Sequence, residues 1–342
     1  MGTRLFFCDP PGKSDPEHLF NHGQDLRAEN DYVFMHDQEP VHMDLHQPLF
    51  DEVERRNIDI RPEPCGHVVV SERGEFVEQM TDLYGWTPHY YFYHGWACLD
   101  WFRGYDKTFV IPRARDRRPT KTFMSPNRIV GGKRDHRVLF LYHIFKNNLQ
   151  HNNISAPRIC PHENVDITSI AQKYTDVYQD IATVISSADL PRVYAGEPTQ
   201  QMSSCWLGNY GEAAESIIYV PTETVYFGRR THITEKTFKA IALEMPFVLV
   251  APAGSLAYMR EYGFKTFGHI WDESYDTETD DIKRLEMIVE TLKDVERLSA
   301  KDKQRVWAAC LPIVEHNYNH FYSGGFADVL WPELLSMLDE FK

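Results

Sequence analysis

Between residues 216 and 250 the chain reads as apolar strand, helix, apolar strand, and this order constrains the fold more than any other feature. Residues 216–220 (SIIYV) form a short apolar run closed by Pro221-Thr222-Glu223-Thr224. Helical spacing follows over residues 235–243, then a second apolar run at residues 247–250 (FVLV). Two buried strands joined through a helix pair in parallel, because the crossover returns the chain to the edge it left. The same alternation recurs upstream. Brief strands are expected at residues 5–8, 32–36, 67–71, 89–93 and 108–111, each bounded by Pro, Gly, Asp or His. Residues 122–124 open a further strand. A helix is expected over residues 135–148, with Val138, Leu141, Tyr142 and Phe145 on one face, and another over residues 167–186. The expected class is α/β, with parallel sheets covered on both faces in the doubly wound manner.

A chain of 342 residues suggests two such domains. Residues 112–119 (PRARDRRP) are polar, carry Pro at each end and lack an apolar period, which is the composition of a linker. The expected division is residues 1–118 and residues 119–342, with the last helix crossing back. The formal net charge of -14 disfavours indiscriminate binding to polyanions or anionic lipid. Six cysteines without a CxxC pair fit reduced thiols in a cytoplasmic setting. No run approaches the ~18 apolar residues of a membrane span, so no membrane partner is expected. His36, His42 and His46 are separated so that at most two share a helical face, and no metal site is expected from them.

The stretch RRTHITEKTFKAIALEMPFVLV, residues 229–250, breaks a local rule. Thr234 suits an N-cap and Glu235 suits the first turn, where the helix dipole favours a carboxylate. Lys236 opposes that same dipole, and Arg229, Arg230 and His232 add to the positive field. An anion at the helix N-terminus would neutralise these groups, leaving Glu235 for hydroxyls such as a ribose diol.

The run Thr231-His232-Ile233-Thr234-Glu235-Lys236, with its apolar helix and the strand Pro246-Phe247-Val248-Leu249-Val250, resembles the nucleotide-sugar-binding segment of α1,3-fucosyltransferases and related two-Rossmann-domain (GT-B) glycosyltransferases. Ser125-Pro126-Asn127-Arg128, with Arg137 in the following helix, is similar to the family's strand-end Ser-Asn and later Arg. His232 stands where the family commonly has Tyr. The text at residues 254–267 and 271–276 resembles phage-encoded proteins with this domain. The likeness spans roughly residues 120–321 and implies two Rossmann-like domains facing across a cleft. It makes residues 119–342 the donor-binding domain and residues 1–118 the acceptor-binding one. The donor site it implies comprises Asn127, Arg128, Arg137, Arg229, Arg230, His232, Thr234, Glu235 and Lys236, with Glu235 on the ribose and Lys236 on the diphosphate of a UDP- or GDP-sugar.

An enzyme of that kind needs no metal and no cofactor beyond its co-substrate, because helix dipole and cations stabilise the leaving diphosphate. An inverting displacement needs one base on the acceptor, and Asp37 or Glu39, at the carboxyl end of a predicted strand, is the candidate. The basic segment at residues 113–137 stands out in an acidic chain and suggests a polyanionic acceptor, such as a hydroxymethylated base in phage DNA. A sugar-nucleotide epimerase or hydrolase, or a non-catalytic binding protein on the same scaffold, remains the alternative.

Overall fold

The computed structural model describes residues 4–8, 32–36, 40, 51, 66–107, 111–131, 133–161, 163–194 and 206–340. Its elements, in chain order, are β1 (Arg4–Cys8), β2 (Tyr32–His36), β3 (Gly66–Val70), β4 (Arg73–Gly74), α1 (Glu75–Tyr84), β5 (Thr87–Tyr90), α2 (Tyr93–Trp101), β6 (Lys121–Pro126), α3 (His136–Lys146) and β7 (Asn153–Ser155). There follow α4 (Ile167–Gln172), α5 (Ile181–Ser187), α6 (Tyr210–Glu215), β8 (Ser216–Tyr219), β9 (Arg230–Thr231), α7 (Glu235–Ala242), α8 (Ser255–Glu261), α9 (Asp281–Glu296), α10 (Ala300–Tyr322) and α11 (Gly325–Asp339). The architecture is α/β with parallel sheets, as the alternation of strand and helix requires.

The chain divides into two compact units. The first holds Met1–Ala97, Arg229–His232 and Asp328–Lys342; the second holds Cys98–Gly228 and Ile233–Ala327. The polar segment at residues 112–119 therefore lies inside the second unit. No helix among the described residues is long and apolar enough to cross a membrane.

In the first unit, strands β1-β2-β3-β5 pair in that order, all parallel. Val68, Val69 and Val70 of β3 are buried, as a central strand of β-branched residues should be. A two-residue antiparallel pair joins β4 to β9. Gly74 makes this pair possible: it sits at φ 134, and a Cβ there would collide with the Arg229 carbonyl oxygen. The end of α11 packs in this unit, where Glu333 accepts from the Phe92 amide at 3.3 Å and Trp331 meets Trp96 edge-on.

In the second unit the order is β7-β6-β8, again parallel, and parallel bridges Tyr219↔Phe247 and Thr222↔Val250 add residues 247–250 beside β8. From β6 the chain goes to β7 on one side and then to β8 on the other. The reversal places a crevice outside the carboxyl ends of β6 and β8, where open α/β sheets hold ligands. Phe238, Phe264, Phe321 and Phe326 cluster in the core of this unit, with Phe238 and Phe326 stacked at 5.4 Å.

Three local expectations change. The helix expected over residues 167–186 is two, α4 and α5, because the Tyr174 and Tyr178 hydroxyls in the break are tied to Asp135 and Glu286. Helix α3 is not amphipathic. Residues 136–144 are all buried, since α3 packs against α4, α5 and α9 as well as facing the core. The strand expected over residues 89–93 ends at Tyr90, and Tyr93 begins α2.

Candidate functional site

The crevice is built from two loops. After β6, the Ser125 hydroxyl donates to the Val220 carbonyl at 3.1 Å and accepts from the Asn127 side-chain amide at 3.0 Å. After β8, the Thr222 hydroxyl donates to Asn127 Oδ1 at 2.5 Å. Asn127 is buried, so its side chain fastens the two loops together at the sheet edge. Arg137, in the first turn of α3, reinforces this joint: its guanidinium donates to the carbonyls of Ile129 (2.5 Å), Thr222 (2.8 Å) and Glu223 (3.0 Å). It makes no ion pair among the described residues. Burial pushes its guanidinium down to about 9, with the charge of Arg134 adding to the effect, so it remains a cation at neutral pH.

Helix α7 begins beside these loops. Thr234 is its N-cap, in extended conformation. Glu223, completely buried, accepts from the Thr234 amide (3.3 Å), the Thr234 hydroxyl (2.5 Å) and the Thr237 hydroxyl (2.6 Å). The chain thus supplies a carboxylate of its own at the amino end of α7, which answers part of the positive field there. Lys236 turns back over the helix start. Its ammonium donates to Thr224 Oγ1 at 3.1 Å, Thr234 Oγ1 at 3.0 Å and Glu235 Oε1 at 3.0 Å. The Lys236 side chain keeps 28% of its surface exposed, whereas Glu235 is buried with 10% of its side chain exposed and Glu223 is completely buried.

Under the same loops, His136 is buried, with Nε2 3.0 Å from the Glu223 carbonyl and its ring stacked on Tyr226 at 4.9 Å. Burial, and then the neighbouring Arg137, hold its imidazole well below the usual range, so it is neutral. Cys98 is buried in this unit; burial first, and then the Glu235 carboxylate, raise its thiol well above the usual range. It is an inert thiol.

The remaining sequence candidates fall elsewhere. Arg229, Arg230 and His232 belong to the first unit, whereas Thr234, Glu235 and Lys236 belong to the second. Arg229 forms an ion pair with Glu78. Arg230 donates from Nε and Nη2 to Glu72 at 2.5 and 2.7 Å, both side chains being buried, and its guanidinium lies over Phe76 at 4.2 Å. His232 is buried, with Nδ1 3.3 Å from the Ser71 carbonyl and its ring edge-on to His94. Arg128 is half-buried on the loop after β6. Asp37, Glu39, His42 and His46 lie outside the described residues. Within the basic segment, Arg113 donates to Glu244, Arg117 is buried beside the same carboxylate, and Arg118 donates to the carbonyls of Arg115 and Arg117. Among the described residues no group of three or more His, Cys, Asp or Glu is placed to hold a metal ion.

Sequence reasoning named neither Glu223, Thr224 nor Thr237 as site residues. The signal was available: Thr222-Glu223-Thr224 follows directly on β8, at the carboxyl edge where such sheets place ligand-side groups.

No family model matches the chain, and no curated protein matches it. Among solved structures it is similar to a trehalose-6-phosphate synthase, OtsA, at 11% identity over 92% of this chain and 69% of that one, with a TM-score of 0.38. An E. coli structure described as bound with UDP-2-fluoro glucose gives 11% identity, 92% and 70% coverage and a TM-score of 0.40. An α,α-trehalose-phosphate synthase (UDP-forming) from Burkholderia xenovorans, in complex with glucose-6-phosphate, gives 10%, 92% and 71%, with 0.39. Likeness at this level describes a loose course of the chain, and the functional reading rests on the residues above.

Proposed function

We propose that the chain is a glycosyltransferase that moves a sugar from a nucleotide-sugar donor to an acceptor hydroxyl, with the donor held in the crevice of the second unit. The observation that carries this reading is the Glu235–Lys236 pair. A buried carboxylate and a partly exposed ammonium, 3.0 Å apart, stand at the start of α7 beside the point where the strand order reverses. A nucleoside diphosphate presents a diol and a polyanion, and this pair offers one group to each. In the reaction, the bond from the sugar C1 to the diphosphate oxygen breaks with its electrons going to that oxygen. Lys236 meets the developing charge in place of a metal ion. The acceptor oxygen attacks C1 from the opposite face and gives its proton to a carboxylate, for which Asp37 and Glu39 are the candidates, so the anomeric configuration inverts. The proposed donor is a UDP- or GDP-sugar. The acceptor reading of a hydroxymethylated base in phage DNA rests on the basic segment, in which Arg115 and Lys133 are exposed.

The test is thermal unfolding with UDP, GDP and their sugar conjugates, with and without magnesium. A ligand at about 100 times its Kd adds roughly 2.7 kcal/mol of stability. A magnesium-independent shift, absent in Lys236→Ala, is the expected outcome; no shift with any nucleotide in the wild type refutes the reading.

A further inference from the structure

The hydrogen-bond directions around Lys236 are determined by the chemistry of its neighbours. A carboxylate only accepts, so the Thr234 hydroxyl, 2.5 Å from Glu223 Oε2, points its single proton there. Its two lone pairs are left for donors, and two donors face it: the Lys236 ammonium at 3.0 Å and, more weakly, the Lys236 amide at 3.5 Å. The Thr237 hydroxyl likewise turns its proton onto Glu223, at 2.6 Å. Every bonding capacity of the Thr234 hydroxyl is filled, and its orientation follows from the charge on a residue that does not itself touch Lys236. The Lys236 ammonium has three protons and three acceptors. Two of these, Thr224 and Thr234, are neutral hydroxyls, and the third, Glu235, is a carboxylate.

We propose that Glu223 is a positioning residue for Lys236: by taking the Thr234 proton it turns that hydroxyl's lone pairs onto the ammonium. Thr224 and Thr234 then hold the ammonium in place while its third proton, now on Glu235, passes to the donor diphosphate. The last clause rests on the donor reading; the orientation of Thr234 does not. Glu223→Gln has nearly the same shape but brings an NH2 group to a place crowded with donors. Thr234 would then accept from Gln, turn its proton toward the ammonium and push Lys236 away.

The experiment is reductive methylation of the whole chain, with the rate at Lys236 followed by peptide mass spectrometry and Lys283 and Lys293 as internal references. Glu223→Gln is expected to raise the Lys236 rate about fivefold, the factor of one net hydrogen bond, with the references unchanged. Thr237→Val removes a donor to Glu223 that is off the path to Lys236, and leaves the Lys236 rate as in the wild type. The double variant Glu223→Gln/Thr234→Val rises no further than either single variant, because both remove the same interaction. Should Glu223→Gln fail to fold, Thr234→Val alone gives the fivefold rise. An unchanged Lys236 rate in Glu223→Gln or Thr234→Val overturns the inference, as does an equal rise in Thr237→Val, which would report general loosening of α7. In parallel, UDP and GDP are titrated, and Glu223→Gln weakens the binding nucleotide about tenfold. If the wild type binds neither nucleotide while the labelling pattern holds, the positioning role stands and the donor reading fails.

Discussion

Two buried histidines on α3 make the second unit acid-labile. His143 lies with Nε2 3.0 Å from the Tyr178 hydroxyl, and burial, aided by the charge of Lys293, pushes its imidazole down to about 4. His136 donates from Nε2 to the Glu223 carbonyl, its Nδ1 has no partner among the described residues, and Arg137 is its neighbour in sequence and in field. A second proton on His136 would be a buried charge with nothing to receive it. Both folded-state values lie below the ~6.5 of an unfolded histidine, so the unfolded chain binds more protons and stability falls as pH drops below that value. Integrating from pH 7 to pH 5, His143 withdraws about 2 kcal/mol from a total that is ordinarily ~5–15 kcal/mol, and His136 adds a loss of the same sign. Urea unfolding at half-unit pH steps measures it directly. His143→Gln should remove about 2 kcal/mol of the pH-dependent decline. A wild-type loss below roughly 1 kcal/mol between pH 7 and 5, or a His143→Gln curve parallel to the wild type, would refute the claim that these imidazoles are held neutral.

Glu244 is a buried carboxylate that accepts from Arg113 Nε (2.7 Å) and the Ala114 amide (2.8 Å) and lies beside the buried Arg117. Glu244→Ala leaves Arg117 buried without its acid and should cost about 3–5 kcal/mol, read as a fall in urea midpoint. Phe238→Ala, in the stacked phenylalanine cluster, should cost a similar ~3–5 kcal/mol without changing the denaturant slope.

What the sequence made legible was local. The cap at Thr234 and the parallel strands β6 and β8 follow from chemistry within a few residues, and they appear where expected. The fate of the arginines was not legible, because it is set by acids far along the chain. Arg230 pairs with Glu72, 158 residues away, and Arg229 with Glu78, 151 residues away. Arg113 meets Glu244 across 131 residues. Read in sequence, residues 113–137 and 229–236 look like two basic patches; folded, much of that charge is neutralised internally. Periodicity misled over α3 for a related reason. A helix enclosed on every side still shows apolar residues at helical spacing, and the polar ones between them, His136, Arg137 and His143, are buried with partners rather than solvated.

At the crevice the Lys236 ammonium is already held by the Glu235 carboxylate, with the buried Glu223 and Arg137 close by. A diphosphate gains little from Lys236 unless one of its internal contacts opens, and Lys236 is the group of the pair that reaches solvent. Opening the Glu235 contact frees a proton of Lys236 for phosphate and removes one partner of the Glu235 carboxylate, which a diol can replace. Phosphate binding and ribose binding are consequently coupled through a single ion pair. The measurable form is a ligand cycle of a nucleoside diphosphate, its monophosphate, and the 2′,3′-dideoxy counterpart of each. Independent contacts would make the affinity gained from the second phosphate the same with or without the diol. Coupling through Glu235 makes that gain about tenfold larger when the diol is present, about 1.4 kcal/mol of interaction energy. In Glu235→Gln the amide no longer competes for the ammonium as a carboxylate does, so the coupling should collapse while phosphate itself binds at least as well. Equal gains in the wild type would mean that the two groups act separately.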